Sequence, residues 1–268
     1  MATLRSIWIW AATGSLILLW LPLLAVVRLL DRDSARYTTG RWFRRLGAAV
    51  TRVNPNWKIE VSGTPVSDPR RPYVVVCNHQ SLGDIPIISR LPWEMKWVAK
   101  AELFRIPVVG WMMRLAGDIP VDRDERTSGA RAFVHAKAYL AKKCSVMFFP
   151  EGTRSPDGKV HAFTDGAFRL AIKTQTPILP LALDGAQDAL PKHSWKFGTA
   201  ANHIRLRVMP PIETTGLKAG DTEALRERVR AAIAGQIAAW RGVPVEAVAA
   251  ATALAEGEIK DSVNTPAP

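Results

Sequence analysis

The sequence predicts an α/β fold, a mostly parallel or mixed central sheet flanked by helices, preceded by an N-terminal helical segment suited to a membrane. Short runs rich in Val, Ile and Phe recur through the middle of the chain, stretches with apolar residues three and four apart separate them, and residues 6–27 hold no charge. At 268 residues the chain is long enough to enclose a sizeable core.

The uncharged segment SIWIWAATGSLILLWLPLLAVV has the length of a bilayer-crossing helix. Trp8, Trp10 and Trp20 lie toward its ends, where indoles favour the interface. Arg28 follows at once and no small-x-small cleavage pattern precedes it, which favours an anchor over a secretory signal. Pro22 leaves open a helix that enters one leaflet without crossing. Next, Arg28, Arg32, Arg36, Arg41, Arg44, Arg45 and Arg52 outnumber Asp31 and Asp33, with Trp42, Phe43 and Leu46 interleaved, as in a basic amphipathic helix lying on anionic headgroups. The first 52 residues carry 8 basic and 2 acidic side chains, so +6 of the net +12 resides there. Residues 1–53 therefore read as the anchoring part, and the charge bias places the rest of the chain on the cytoplasmic side.

The turn Asn54-Pro55-Asn56 opens the α/β part, residues 54–220. Strands are predicted at 57–61, 73–77, 118–121, 145–149, 178–183 and 203–208, and helices at 84–90, 108–115, 128–141 and 166–174. Within 221–268, Leu225, Val229, Ile233 and Ile237 at spacing four predict a surface helix over 221–240. An Ala-rich stretch at 243–256 suggests another, and the terminal SVNTPAP reads as disordered.

The basic surplus calls for an anionic partner: nucleic acid, a membrane surface or a phosphorylated substrate. The aromatic and basic residues interleave beside the apolar segment rather than on a soluble face, which argues against nucleic acid. Cys77 and Cys144 lie within apolar runs, too few for a disulfide framework or a Cys-rich zinc site, and point to a reducing compartment.

His79 and Asp84 follow a buried strand, where groups that act in α/β sheets gather. His79 can act as a general base and a carboxylate on its other ring nitrogen would fix its tautomer, although an H-x4-D spacing alone also fits a helix-capping Asp. No metal-ligand spacing accompanies the pair. Ser81 between them fits a turn role; there is no G-x-S-x-G elbow. After the strand at 145–149 come Pro150, Glu151, Gly152, Thr153 and Arg154. Arg154 can present its fork to a phosphate, or simply pair with Glu151 at the surface. His135, His161, His193 and His203 lack a carboxylate at a recognisable spacing and read as structural or exposed.

Read together, NHQSLGD at 78–84, KAELFRIPVVGWMMRLAGDIPVDR at 100–123, FPEGTRS at 149–155 and TPILPLAL at 176–183 resemble, in order, the four sequence blocks of the glycerolipid acyltransferase family, specifically the 1-acyl-sn-glycerol-3-phosphate acyltransferases. The resemblance implies acyl transfer from acyl-CoA or acyl-acyl carrier protein to the 2-hydroxyl of lysophosphatidate, giving phosphatidate for phospholipid synthesis, with no cofactor beyond the acyl thioester. It implies His79 as base and Asp84 as its partner, and a phosphate site of Arg154 and Lys100 with Glu151, Gly152 and Thr153 shaping the loop. Arg123 is a further contact or a strand-end surface charge. Backbone N–H groups near Gly152 or Gly117 are candidate oxyanion donors. Trp93, Met95, Trp97, Phe104, Trp111, Met112 and Met113 are core residues or line an acyl slot. The expected partners are a phospholipid membrane, the two lipid substrates and acyl carrier protein, but no nucleic acid, and the expected location is a bacterial inner membrane. Other readings are a different lysophospholipid or lyso-aminolipid acceptor, or, more distantly, a silent membrane adaptor or a membrane-tethered nucleic-acid binder.

Overall fold

A computed structural model describes residues 2–122, 125, 127–190, 194–198 and 200–250. The N-terminal pair of helices is α1 (Ala2–Leu30) and α2 (Tyr37–Val50). There follow β1 (Trp57–Gly63), β2 (Val74–Cys77), α3 (Asp84–Ile88), β3 (Met95–Lys100), a 3-10 turn at Ala101–Arg105, α4 (Val109–Ala116), β4 (Ile119–Val121), α5 (Ser128–Ala141) and β5 (Ser145–Phe148). The chain continues through α6 (Gly166–Thr174), β6 (Ile178–Asp184), α7 (Ala186–Ala189), β7 (Asn202–Val208), α8 (Thr222–Arg241) and α9 (Val245–Val248).

The strands form one seven-stranded sheet in the order β1-β7-β6-β2-β5-β3-β4, parallel except where β6 meets β7. Strand β2 lies near the middle and is buried along its length. Its neighbours on either side are β5 and β6, so the chain reverses its direction of strand addition there and opens a crevice at the carboxyl ends. One face of the sheet is covered by α5, α6 and α8 through Phe168, Leu170, Val229 and Ile233. On the other, Ile87, Ile88, Trp93 and Trp97 pack with Leu179 and Leu206.

The predicted strands and the four central helices recur within a residue or two at most ends, with α3 stopping at Ile88. Strand β3 was not predicted, because its sequence MKWVAK places a lysine in the core. Lys96 is fully buried there, its ammonium bonded to Glu94 Oε1 at 3.0 Å and to the carbonyls of Ala116 and Arg36 at 2.8 and 3.0 Å. Arg44 from α2 enters the same cluster and pairs with Asp118 and Glu94. Four charges, two of each sign, thus meet where α2 seats on the sheet, and each would be costly alone. Gly40 makes the approach possible, since a Cβ at that position would overlap the Glu94 carboxylate.

This corrects the reading of the arginines as a headgroup-binding set. Arg44 is buried in the ion cluster and Arg41 donates to the Leu91 carbonyl at 2.8 Å. Arg32, Arg45 and Arg52 remain exposed.

Helix α1 runs unbroken through Pro22 and is long and apolar enough, by length and composition, to cross a membrane. It also touches the α/β part at both ends. Ser6 Oγ accepts the N–H of Phe197 at 3.0 Å and Trp10 Nε1 donates to the Trp195 carbonyl at 2.7 Å, while Leu24 packs with Leu46 and Met112. At the C-terminus, the helix expected over 243–256 reduces to α9; Ala249 then bridges Val160, and 251–256 and the terminal SVNTPAP lie outside the described residues.

Candidate active site

Strand β2 ends at Cys77, and the next residue locks the crevice open. Asn78 Nδ2 donates to the Leu183 carbonyl at 2.8 Å and its Oδ1 accepts the Leu183 N–H at 3.0 Å, so the chain leaves β2 in a fixed direction. His79 follows, and its Nδ1 lies 2.7 Å from Asp84 Oδ2. The same carboxylate oxygen accepts the N–H groups of Gln80 and Ser81 at 2.7 and 3.0 Å. Asp84 is wholly buried at the start of α3, whereas the His79 side chain keeps 15% of its surface exposed. With Nδ1 engaged, the second ring nitrogen is the one left for a substrate proton. Phe149 stacks on the imidazole at a centroid distance of 4.0 Å and 17°.

The β5 loop closes on this turn through its backbone. Glu151 Oε1 accepts the N–H of His79 at 2.7 Å and Oε2 that of His161 at 3.2 Å, and the N–H of Ser155 donates to the His79 carbonyl at 2.8 Å. Burial pushes the Glu151 carboxyl up to about 8 against the pull of those two N–H groups. Gly152 turns the loop with φ +75°, a conformation that favours glycine.

Glu151, Gly152 and Phe149 line a cleft of about 370 Å³ together with Lys100 at the end of β3. Thr153 is exposed and Arg154 half-buried in the same loop. Arg123 lies outside the described residues. Of the N–H groups in the two regions suggested for an oxyanion, that of Gly152 itself donates to the Phe149 carbonyl and that of Gly117 to the Met113 and Arg114 carbonyls, where it caps α4 at the opposite end of the strands.

Ser81 is a turn residue. Its buried hydroxyl donates to the Leu190 carbonyl at 2.6 Å and accepts the Gly83 N–H at 3.1 Å. Burial raises the Cys77 thiol well above its ordinary range and pushes that of Cys144 up to about 12, so neither supplies a thiolate.

Two features escaped the sequence reading. His161 does have a carboxylate partner, with Nε2 2.9 Å from Asp157 Oδ1, and the D-x3-H spacing was the available signal. His193 lies outside the described residues. The second feature is an apolar cavity of about 310 Å³ between α1, α2, α3 and α4. Its lining includes Ile9, Phe43, Val50 and Met112, and it reaches Leu82 and Gly83 in the turn between His79 and Asp84. Trp93, Met95 and Trp97 instead belong to the core, Phe104 is buried, and Trp111 is exposed.

Residues 58–184 match the family model described as Acyltransferase. A sheep protein named 1-acyl-sn-glycerol-3-phosphate acyltransferase alpha (Ovis aries) is 39% identical over 176 residues, covering 65% of this chain and 60% of the relative. A chloroplastic 1-acyl-sn-glycerol-3-phosphate acyltransferase of Arabidopsis thaliana is 35% identical over 190 residues, covering 70% and 52%. The chain thus matches about three fifths or less of the length of these curated relatives. The crystal structure of the 1-acyl-sn-glycerophosphate acyltransferase PlsC from Thermotoga maritima superposes with a TM-score of 0.75 at 28% identity, covering 90% of this chain and 96% of that one.

Proposed function

From the match of residues 58–184 to the Acyltransferase family model, we propose that this protein transfers a fatty acyl group from an acyl thioester to the 2-hydroxyl of lysophosphatidate, forming phosphatidate. The observation that carries the reading is the His79–Asp84 pair at 2.7 Å, set beside a cleft that holds Lys100 and an apolar cavity at the same turn. His79 takes the hydroxyl proton as the acceptor oxygen bonds to the thioester carbonyl carbon. Asp84 holds the imidazole in its tautomer and stabilises the imidazolium. Collapse of the tetrahedral intermediate breaks the C–S bond, and the departing thiolate takes the proton back from His79. A thioester is already activated, so this route needs no acyl-enzyme.

Arg154 and Lys100 are the proposed phosphate contacts, in a loop shaped by Glu151, Gly152 and Thr153, with Arg123 as a further contact. Holding the phosphate fixes the 2-hydroxyl against His79. The 310 Å³ cavity takes an acyl chain. The thioester is acyl-CoA or acyl-acyl carrier protein, with no other cofactor.

Both ends of α1 contact the α/β part, and a helix crossing a full bilayer would carry one end away from it. We therefore place α1 along one leaflet, with the catalytic part on the cytoplasmic face of a bacterial inner membrane. The test is an acceptor panel with one labelled acyl donor. The reading expects lysophosphatidate to be acylated in preference to other lysophospholipids and lyso-aminolipids; a preference for an acceptor lacking the phosphomonoester would contradict it.

A further inference from the structure

A cavity of about 400 Å³ opens at the edge of the sheet, between the α1–α2 connection, the turn after β3, the end of α4 and α5. It shares no lining residue with the Lys100 cleft or with the apolar cavity. Arg36, Arg105, Arg114 and His135 converge on it. The carboxylate in its lining, Asp118, is already paired with Arg44. Among the described residues none of the three arginines forms an ion pair. Three guanidiniums on one concave surface whose lining carboxylate is paired with Arg44 make a site for an anion.

The backbone around it is built to that end. Arg36 adopts the left-handed conformation, φ 51° and ψ 42°, which is unfavourable for a non-glycine residue. It is pinned there because its carbonyl accepts from the buried Lys96 ammonium at 3.0 Å and from the Gly40 N–H at 2.9 Å. Its guanidinium is braced by the Arg114 carbonyl at 2.8 Å. Gly117 keeps the space clear, since a Cβ there would press on the Tyr139 hydroxyl and meet Arg36 Cδ at 3.4 Å. Trp111, one turn before Arg114 on α4, is exposed and suited to an interface.

We propose that this cavity is a second phosphate-binding site, separate from the one that holds the acceptor. A phospholipid headgroup and the phosphates of a soluble donor such as coenzyme A share the required chemistry. Full-length protein would be compared with R105Q/R114Q, and with R207Q/R228Q, which removes two exposed arginines elsewhere. One arm measures co-sedimentation with phosphatidylcholine vesicles carrying phosphatidate, against vesicles of equal surface charge carrying a fatty-acid carboxylate. The other is a calorimetric titration with coenzyme A in detergent. A loss of about tenfold in phosphate-dependent binding is expected in R105Q/R114Q alone, the scale of lost charge-assisted hydrogen bonds. Loss in the first arm identifies a headgroup as the ligand, and loss in the second a soluble phosphate. Unchanged binding in both arms, or an equal loss in R207Q/R228Q, would overturn the site.

Discussion

His79 Nδ1 and Asp84 Oδ2 are joined at 2.7 Å, and that one carboxylate oxygen also gathers the N–H groups of Gln80 and Ser81. Asp84 thus both folds the turn and orients the His79 imidazole. Asp84→Asn keeps the volume but weakens the acceptor and can present an amide N–H to the ring. Turnover is expected to fall by about two to four orders of magnitude, read from initial rates with labelled acyl donor. A loss under threefold would remove Asp84 from the mechanism.

Glu151 predicts a pH dependence. Its carboxyl stands at about 8 in the fold against an ordinary 4.5, so the folded state keeps a proton that the unfolded chain loses. The stability from this group is fully present below about pH 4.5 and is lost as pH rises through about 8. Glu151→Gln cannot titrate. Melting curves should show a shallower decline between about pH 5 and about pH 8 in the variant than in the unmodified protein; parallel slopes would refute the shift.

The buried ion cluster predicts a stability effect with little surface signature. Glu94→Ala leaves Lys96 and Arg44 with one carboxylate between them, and a loss of about 3–5 kcal/mol is expected. Thermal unfolding in detergent measures it. A melt within a degree of the unmodified protein would mean that water or relaxation compensates the cluster.

The apolar cavity predicts chain-length selection. Val50 lines it from α2, and Val50→Trp fills part of the volume. With a mixture of acyl donors the product profile should move to shorter chains at similar total turnover, by the steric logic of any filled pocket. An unaltered profile would place the acyl chain elsewhere.

Arg154→Gln should raise KM for lysophosphatidate by roughly ten- to a hundredfold, the range for a lost hydrogen bond to a charged group. A titration of the acceptor at saturating donor separates this from an effect on kcat.

The sheet and the His79–Asp84 contact were legible because their signals are local. Val74, Val75 and Val76 form an unbroken apolar run, and His79 and Asp84 lie five residues apart, within reach of a single turn. Strand β3 was hidden because Lys96 occupies a core position, where Glu94 neutralises it and carbonyls of α4 and the α1–α2 connection accept its remaining hydrogen bonds. Arg44 was misread for the same reason: a charge in an amphipathic helix suggests solvent, and Asp118 lies 74 residues away. The partners of Glu151 were illegible because it bonds to backbone N–H groups, which every residue but proline carries. The apolar cavity was equally hidden, since α1 and α2 read as an anchor and only the folded chain makes them a wall.

The central claim is that His79 removes the acceptor proton. The most direct measurement is the rate of phosphatidate formation by His79→Ala, with its melting curve compared with that of the unmodified protein. A fall of at least about two orders of magnitude with the fold retained is the result predicted; near-normal turnover by a folded variant would contradict it.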